Sequence, residues 1–584
     1  MWPRLDLGTL TTASTPMVIL IILLATLTAV PLLTLLLTTA LHRLAIARLP
    51  TTPDDSAPTR PPIVPYSLPY LGNALAFLST KRGHFWESIL PILAAHPSLS
   101  ILTLRLAHQT SHVLYSPPAV TALFKANHHK ADRLRFNREV LVKALCMRPE
   151  DARKMYWDAR DEKKMGGASK ERAREVERVS SEIMKRFLLS QDAVSVLTRK
   201  FMEVLTEELR ADESGEWKEV RLVRWVRGKM LTASATALMG SRLLKSVPDF
   251  EDKYWDFDEG FLSRLFAVPR WLEPSSYQSL EVLLPAVEEW VKAGEAHYEG
   301  SPPLDVEWEE YLGAKVTRAR RKMYKDFNLS TNGMACLDLG FMFGLSSNAI
   351  PATLWLLCHL ISPSQRPLLN KILAELETAK RPGGHIDVNT LLTAPYLNSS
   401  LTETLRVYVD TLVTRELQSD MVICGHDLRK GELVMAPSYL GHHDGAEWSG
   451  EGDDAPSEAE WWGERFLKTD EKTGEVRMST KDFAGKYFPF GGGMHMCAEL
   501  TDRFLQQPGR VFARQEILGA VAVVLLGHEI EFDEWVDTDR MGTVSKRKGS
   551  GEAGFPHARK QYTGNGVISM DGDATVRIRR REKW

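Results

Sequence analysis

The chain is short of several things. Five cysteines among 584 residues stand at no regular spacing, which excludes a disulfide framework. Cys146, Cys336, Cys358 and Cys424 read as reduced, buried thiols on the cytosolic side. The net charge is only −2, so no nucleic-acid partner is expected. No internal repeat and no second linker follow about residue 83, so one large core is expected. Apolar residues at 44% and charged residues at 25% are ordinary globular usage.

One absence is positional. No charged residue lies between Leu7 and Leu41, and Leu, Ile, Val, Ala and Thr dominate from Met17 onward. Roughly 20 apolar residues cross about 30 Å of hydrocarbon, so residues 17–41 are long enough for one span. The h-region of a cleaved signal peptide is shorter, roughly 7–15 residues. His42, Arg43 and Arg48 follow the run, which places the C-terminal side in the cytosol. Residues 1–48 are thus predicted to be a membrane anchor. Residues 49–82, with prolines from Pro50 to Pro69, are a stiff hinge. Residues 83–584 are the catalytic domain.

Within that domain helical patterns lead and short strands follow. Val179–Leu189 and Val196–Leu209 repeat apolar residues at steps of three and four. Asp338–Ile361 is long and nearly uncharged, but Gly344, Ser346, Ser347, Asn348 and Pro351 interrupt it. That favours a helix buried on all sides over a second span. Strand-like pieces surround Val413, Glu432–Met435, Val567–Met570 and Ala574–Ile578. Residues 447–460 and 546–558 read as surface loops. The basic segment Lys163–Arg186 reads as a solvated helix face, with reductase docking as the rarer alternative.

Three local patterns carry chemistry. In F-P-F-G-G-G-M-H-M-C, Gly491, Gly492 and Gly493 let backbone approach a flat ligand. Phe490 offers an aromatic face, His495 a donor, and Cys497 a thiolate suited to a metal. A glycine turn before a buried cysteine would look the same. Glu403 and Arg406, in E-T-L-R, share one helix face. Arg465 lies in W-W-G-E-R-F-L.

In this order, after the anchor and hinge and before Y-T-G-N-G-V-I-S-M-D-G-D-A-T-V-R-I-R-R-R, these patterns resemble the cytochrome P-450 family. The resemblance implies a mainly α fold with small β-sheets, the triangular helical prism, behind one transmembrane helix. It makes Cys497 the axial thiolate of haem b (iron-protoporphyrin IX). It makes His495 and Arg415, in V-T-R-E-L, propionate contacts, and Glu403, Arg406 and Arg465 the buried structural core. Gly463 stands where the family usually has proline. No W-x-x-x-R helix is evident, since Trp157 and Arg160 have the wrong spacing.

The resemblance fails at two places. The usual acid–threonine pair of the central helix, a proton-delivery device, is replaced by G-L-S-S-N-A-I-P-A-T. Its N-x-x-P resembles the sterol 7α-hydroxylase and prostacyclin synthase branch. Ser347 and Asn348 are the distal catalytic candidates, and Asn348 as a cap on the Pro351 break is the alternative. Second, Ala498–Gln507 separates Cys497 from Pro508 and Gly509, and its removal restores the full signature C-P-G-R. A retained intron or gene-model error is expected there; as a real insertion it would weaken haem binding.

The expected activity is therefore monooxygenation of a lipophilic small molecule at the endoplasmic reticulum membrane. The chain shows no flavin or dinucleotide motif, so electrons would come from NADPH through a separate reductase. Two alternatives stand: a haem-thiolate isomerase or dehydratase needing no reductase, and an inactive membrane-bound protein. The sequons at Asn328 and Asn398 are expected to be unmodified in the cytosol.

Overall fold

A computed structural model describes the chain except residues 1–14, 50–56, 80–84, 127–129, 133, 157–169, 211–214, 299–301, 450–455, 493–508, 539–543, 548–553, 560–562, 565 and 582–584.

Helices built on apolar faces make the bulk of the domain. Four of them share the core: Gln191–Arg210, Leu222–Met239, Thr331–Ile361 and Arg510–Gly527. The third, the central helix, starts where Ser330 caps Gly333 N at 3.2 Å. It is buried along most of its length, with Gly344 exposed, as its lack of an exposed polar stripe requires. Asp338, its one acid, is neutralised by buried Arg321 at 2.7 Å. Polar contacts also tie the bundle: Thr198 Oγ1 donates to Gln515 Oε1 at 2.8 Å, and Ser234 donates to Glu516.

Two sheets flank the helices. The five-stranded one runs Ile101–Leu106, Gln109–Leu114, Leu433–Pro437, Leu412–Leu417, Ala131–Asp132. The four-stranded one runs Val544–Lys546, His528–Thr538, Gly572–Arg580, Lys218–Arg221. The chain is mainly α with small sheets, as expected.

The N-terminal helix Thr15–Ala47 is the other long apolar helix. Its candidate span, Ile22–Ala47, has mean hydropathy 2.1 and is 6% buried, against 1.4 and 83% for the central helix. The described part of the proline-rich stretch is docked rather than free. Val64 N bonds Thr103 O at 2.9 Å, and Thr103 N bonds Pro62 O at 2.8 Å. It also grips the end of the N-terminal helix: Thr38 Oγ1 donates to Tyr66 O at 3.0 Å, and His42 Nδ1 lies 2.8 Å from Ile63 O.

One local expectation is corrected. Cys146 and Cys424 are exposed, while Cys336 and Cys358 are buried; a thiol's apolar character does not decide its place in a loop. The stretches expected as surface loops carry exposed residues where described, and one side chain of each ties it to the interior. Trp448 is buried and donates to Gly441 O at 2.7 Å, and Phe555 stacks on His359 at 4.5 Å.

Candidate active site

The helix Pro395–Tyr408 carries Glu403 and Arg406 three residues apart on its buried face. Arg406 grips Glu403 with two donors, Nε to Oε2 and Nη2 to Oε1, each 2.8 Å. Arg465 Nε reaches the same Oε1 at 3.0 Å, and Trp462 N joins it at 3.0 Å. The remaining arginine donors end on carbonyls: Arg406 on His442 and Glu458, Arg465 on Trp448 and Ser457. Glu403 and Arg406 are fully enclosed. Charges this deep are tolerable only when every donor and lone pair is used. Gly463 has a steric reason here. A Cβ there would lie 2.6 Å from Leu368 Cδ2 and 2.7 Å from the Trp461 ring. That ring stacks on His359 at 4.2 Å and donates to Thr404 Oγ1 at 3.0 Å.

The glycine loop is anchored on the same side. Phe488 N donates to His442 Nε2 at 3.1 Å, and Thr411 Oγ1 donates to Pro489 O at 2.8 Å. Arg415 Nη2 donates to Gly492 O at 3.1 Å, so the strand Leu412–Leu417 delivers a cation to this loop. Arg510, opening the last helix, lies over the Phe490 ring at 5.6 Å. Gly491, at φ 72°, closes the turn by donating its N–H to Phe488 O at 2.9 Å. Gly493, His495 and Cys497, with the segment 498–507, lie outside the described residues, as do Trp157 and Arg160.

On the central helix Gly344 is exposed, and a Cβ there would meet nothing within 4 Å. Its neighbours one turn on point to either side. Ser347 Oγ lies 2.8 Å from Tyr254 OH in the protein interior. Asn348 Nδ2 donates to Gly344 O at 3.3 Å, and its Oδ1 accepts from Val567 N at 3.0 Å. Asn348 thus latches the helix to the strand Gly566–Val567. Only glycine fits at 566, which sits at φ 80° with Asn348 Oδ1 where a Cβ would be. Pro351 has no N–H and leaves the Ser347 carbonyl without its helical donor.

A cytochrome P450 family profile matches residues 310–580. The cytochrome P450 monooxygenase calL of Penicillium decumbens is 29% identical over 70% of this chain and 71% of its own length. Two further monooxygenases of that family, efuG of Hormonema carpetanum and fsoE of Humicola fuscoatra, are 24% and 26% identical over 90% of this chain. Residues 310–580 thus carry the cytochrome P450 profile, and the similarity to monooxygenases of that family extends over most of the chain. The chain is an oxidoreductase of the monooxygenase kind, and a P450 implies a thiolate-bound haem iron. The described residues fit such a group: bare helix backbone at Gly344, a glycine turn, the Phe490 ring, and cations at Arg415 and Arg510 for an acidic rim.

Sequence reasoning missed Tyr254, Asp258 and Glu516. Tyr254 and Asp258 are one turn apart on the helix Phe250–Glu259, and Glu516 lies far along the chain on Arg510–Gly527, so no local spacing links the pair to Glu516 or to the central helix.

Proposed function

We propose that this P450 is held in the endoplasmic reticulum membrane by residues 1–48, with residues 49–82 as hinge and residues 83–584 as the cytosolic catalytic domain. It takes electrons from NADPH through a separate membrane-bound reductase. It inserts one oxygen atom from O2 into a lipophilic small molecule of secondary metabolism, of terpenoid, sterol or polyketide type. Cys497 holds the haem iron, whose chemistry is oxygen activation with electron density pushed from sulfur. Arg415 and His495 meet the propionates, and Phe490, Gly491 and Gly493 shape the loop beneath. Glu403, Arg406 and Arg465 hold the loop's surroundings rigid. Ser347 and Asn348 border the distal face.

The observation that carries this reading is the Arg415 bond to the Gly492 carbonyl. It puts a cation on the glycine loop that leads to Cys497. The test is the ferrous–CO difference spectrum of the full chain, of Cys497→Ser, and of a chain lacking residues 498–507. A thiolate-type Soret band lost in Cys497→Ser supports the reading; an unchanged band in that variant sinks it. A stronger band without 498–507 marks that segment as foreign to the working enzyme. Turnover only with NADPH and reductase separates monooxygenation from isomerisation.

A further inference from the structure

The central helix has no acid beside Ser347 and Asn348, yet an acid lies against it from the next layer. Asp258 sits on the helix Phe250–Glu259. Its Oδ1 is sealed from solvent without a hydrogen-bond partner, while the residue as a whole is partly covered and next to exposed Glu259. One turn earlier Tyr254 is fully buried, with its hydroxyl 2.8 Å from Ser347 Oγ. Two more enclosed oxygens lack partners: Ser346 Oγ on the central helix and Glu516 Oε2 on the last helix. All of these side chains act on the Tyr254 hydroxyl. An orphaned buried polar atom is costly, and buried water is the usual remedy. Three orphans from three helices around one tyrosine are therefore a polar site, not a packing accident.

We propose that this cluster stores and relays protons for the distal face of the central helix, with Asp258 as the acid and Ser347 as the hydroxyl that passes the proton on. The proposal rests on the monooxygenase reading, because turning one atom of O2 into water consumes protons. It supplies from a neighbouring helix the acid that the central helix lacks. The Asp258 O–H gives its proton to Ser347 Oγ, directly or through water, as Ser347 releases its own toward the distal face. Asp258 is left as carboxylate and regains a proton from solvent at the edge beside Glu259. No electrons move in this step. Tyr254 holds the Ser347 hydroxyl in place; it is a positioning residue.

The electrostatics agree. Burial pushes the Asp258 carboxyl up to about 7, with Ser347 opposing, Glu259 adding, and Arg227 and Arg264 drawing it down. Burial also raises Glu516 to about 8, with Ser234 opposing. Near neutrality Glu516 keeps its proton and Asp258 is poised to give one up, as a general acid must be.

The test uses the full-length holoenzyme with carbon-13-labelled aspartate carboxyls. Infrared spectroscopy should find a protonated carboxyl band that titrates near neutral pH. It should vanish in Asp258→Asn, and shift in Ser347→Ala and in heavy water. In parallel, the share of NADPH electrons lost as hydrogen peroxide should rise severalfold in Asp258→Asn and Ser347→Ala, and fall back in Asp258→Glu. Absence of a titrating band that depends on Asp258 overturns the proton store, whatever haem the protein binds. A band with unchanged electron partition overturns the relay. The ferrous–CO spectrum reports separately on the haem-thiolate reading, so the two failures are told apart.

Discussion

Glu403 uses both carboxylate oxygens on arginine donors and a backbone N–H. Asp258 keeps one oxygen enclosed and unpaired. Both acids lie in the interior of one domain, and they obey opposite rules. The first network is saturated: both oxygens of its acid are taken up by donors held in place. The second is undersaturated, so its acids favour the neutral form and protons can change hands within it. A saturated cluster sets geometry; an unsaturated one leaves chemistry to be done.

Breaking the saturated network should have the largest effect. Glu403→Gln leaves Arg406 and Arg465 short of a counter-charge, and loss of one partner in such a network costs about 3–5 kcal/mol. Denaturant unfolding should show the midpoint collapse, with little soluble protein recovered. A variant of near-native stability would mean that the network is looser than its distances imply.

The Asn348 latch comes next. Asn348→Ala leaves Val567 N–H without an acceptor, which costs about 1–3 kcal/mol. Gly566→Ala should cost about as much, since a Cβ collides with Asn348 at a left-handed backbone position. If both variants lose stability while product formation per folded molecule holds, Asn348 is a structural clasp. If Asn348→Ala keeps its stability and loses turnover, Asn348 belongs with Ser347.

The two clusters also differ in how much of them the sequence reveals. Glu403 and Arg406 announce themselves because a helix places residues three apart on one face. Arg465 was found only through resemblance, and the structure brings it to Glu403 across 62 positions. The burial of Asp338–Ile361 was readable because Ser, Asn and Pro sit badly in lipid. The docking of the proline-rich stretch was not, since proline density says extended but not what the extended chain pairs with. Tyr254 and Ser347 are 93 positions apart on different helices, so their meeting is a fact of packing with no local trace. Gly463 looked like a decayed proline; the Trp461 ring against it shows a fitted contact instead.

A pH series sharpens the contrast at smaller cost. The Glu516 carboxyl sits at about 8 in the fold against an ordinary 4.5. The folded state therefore holds a proton that the unfolded chain releases. The stability this lends is whole below about pH 4.5 and drains away as pH rises toward about 8, by up to about 1.4 kcal/mol per pH unit. Glu516→Gln should flatten that slope. Buried His359, held neutral by burial at about 3, pulls the opposite way below its ordinary 6.5. The comparison is therefore variant against parent at each pH. A parent slope that survives Glu516→Gln would move the titrating site elsewhere.

The smallest effect is the control for the largest. Arg178 and Glu182 form the same chemical pair as Arg406 and Glu403, 2.7 Å apart and one turn along a helix, but both side chains are 60% exposed. Water solvates each partner when the other is removed, so no orphaned charge results. Glu182→Gln should change stability by less than about 0.5 kcal/mol, and added salt should erase even that. Glu403→Gln should stay costly at any salt concentration, because the penalty there is desolvation and not long-range attraction. Equal losses at the two sites would mean that the carboxylate–arginine contact, and not its enclosure, sets the strength of both.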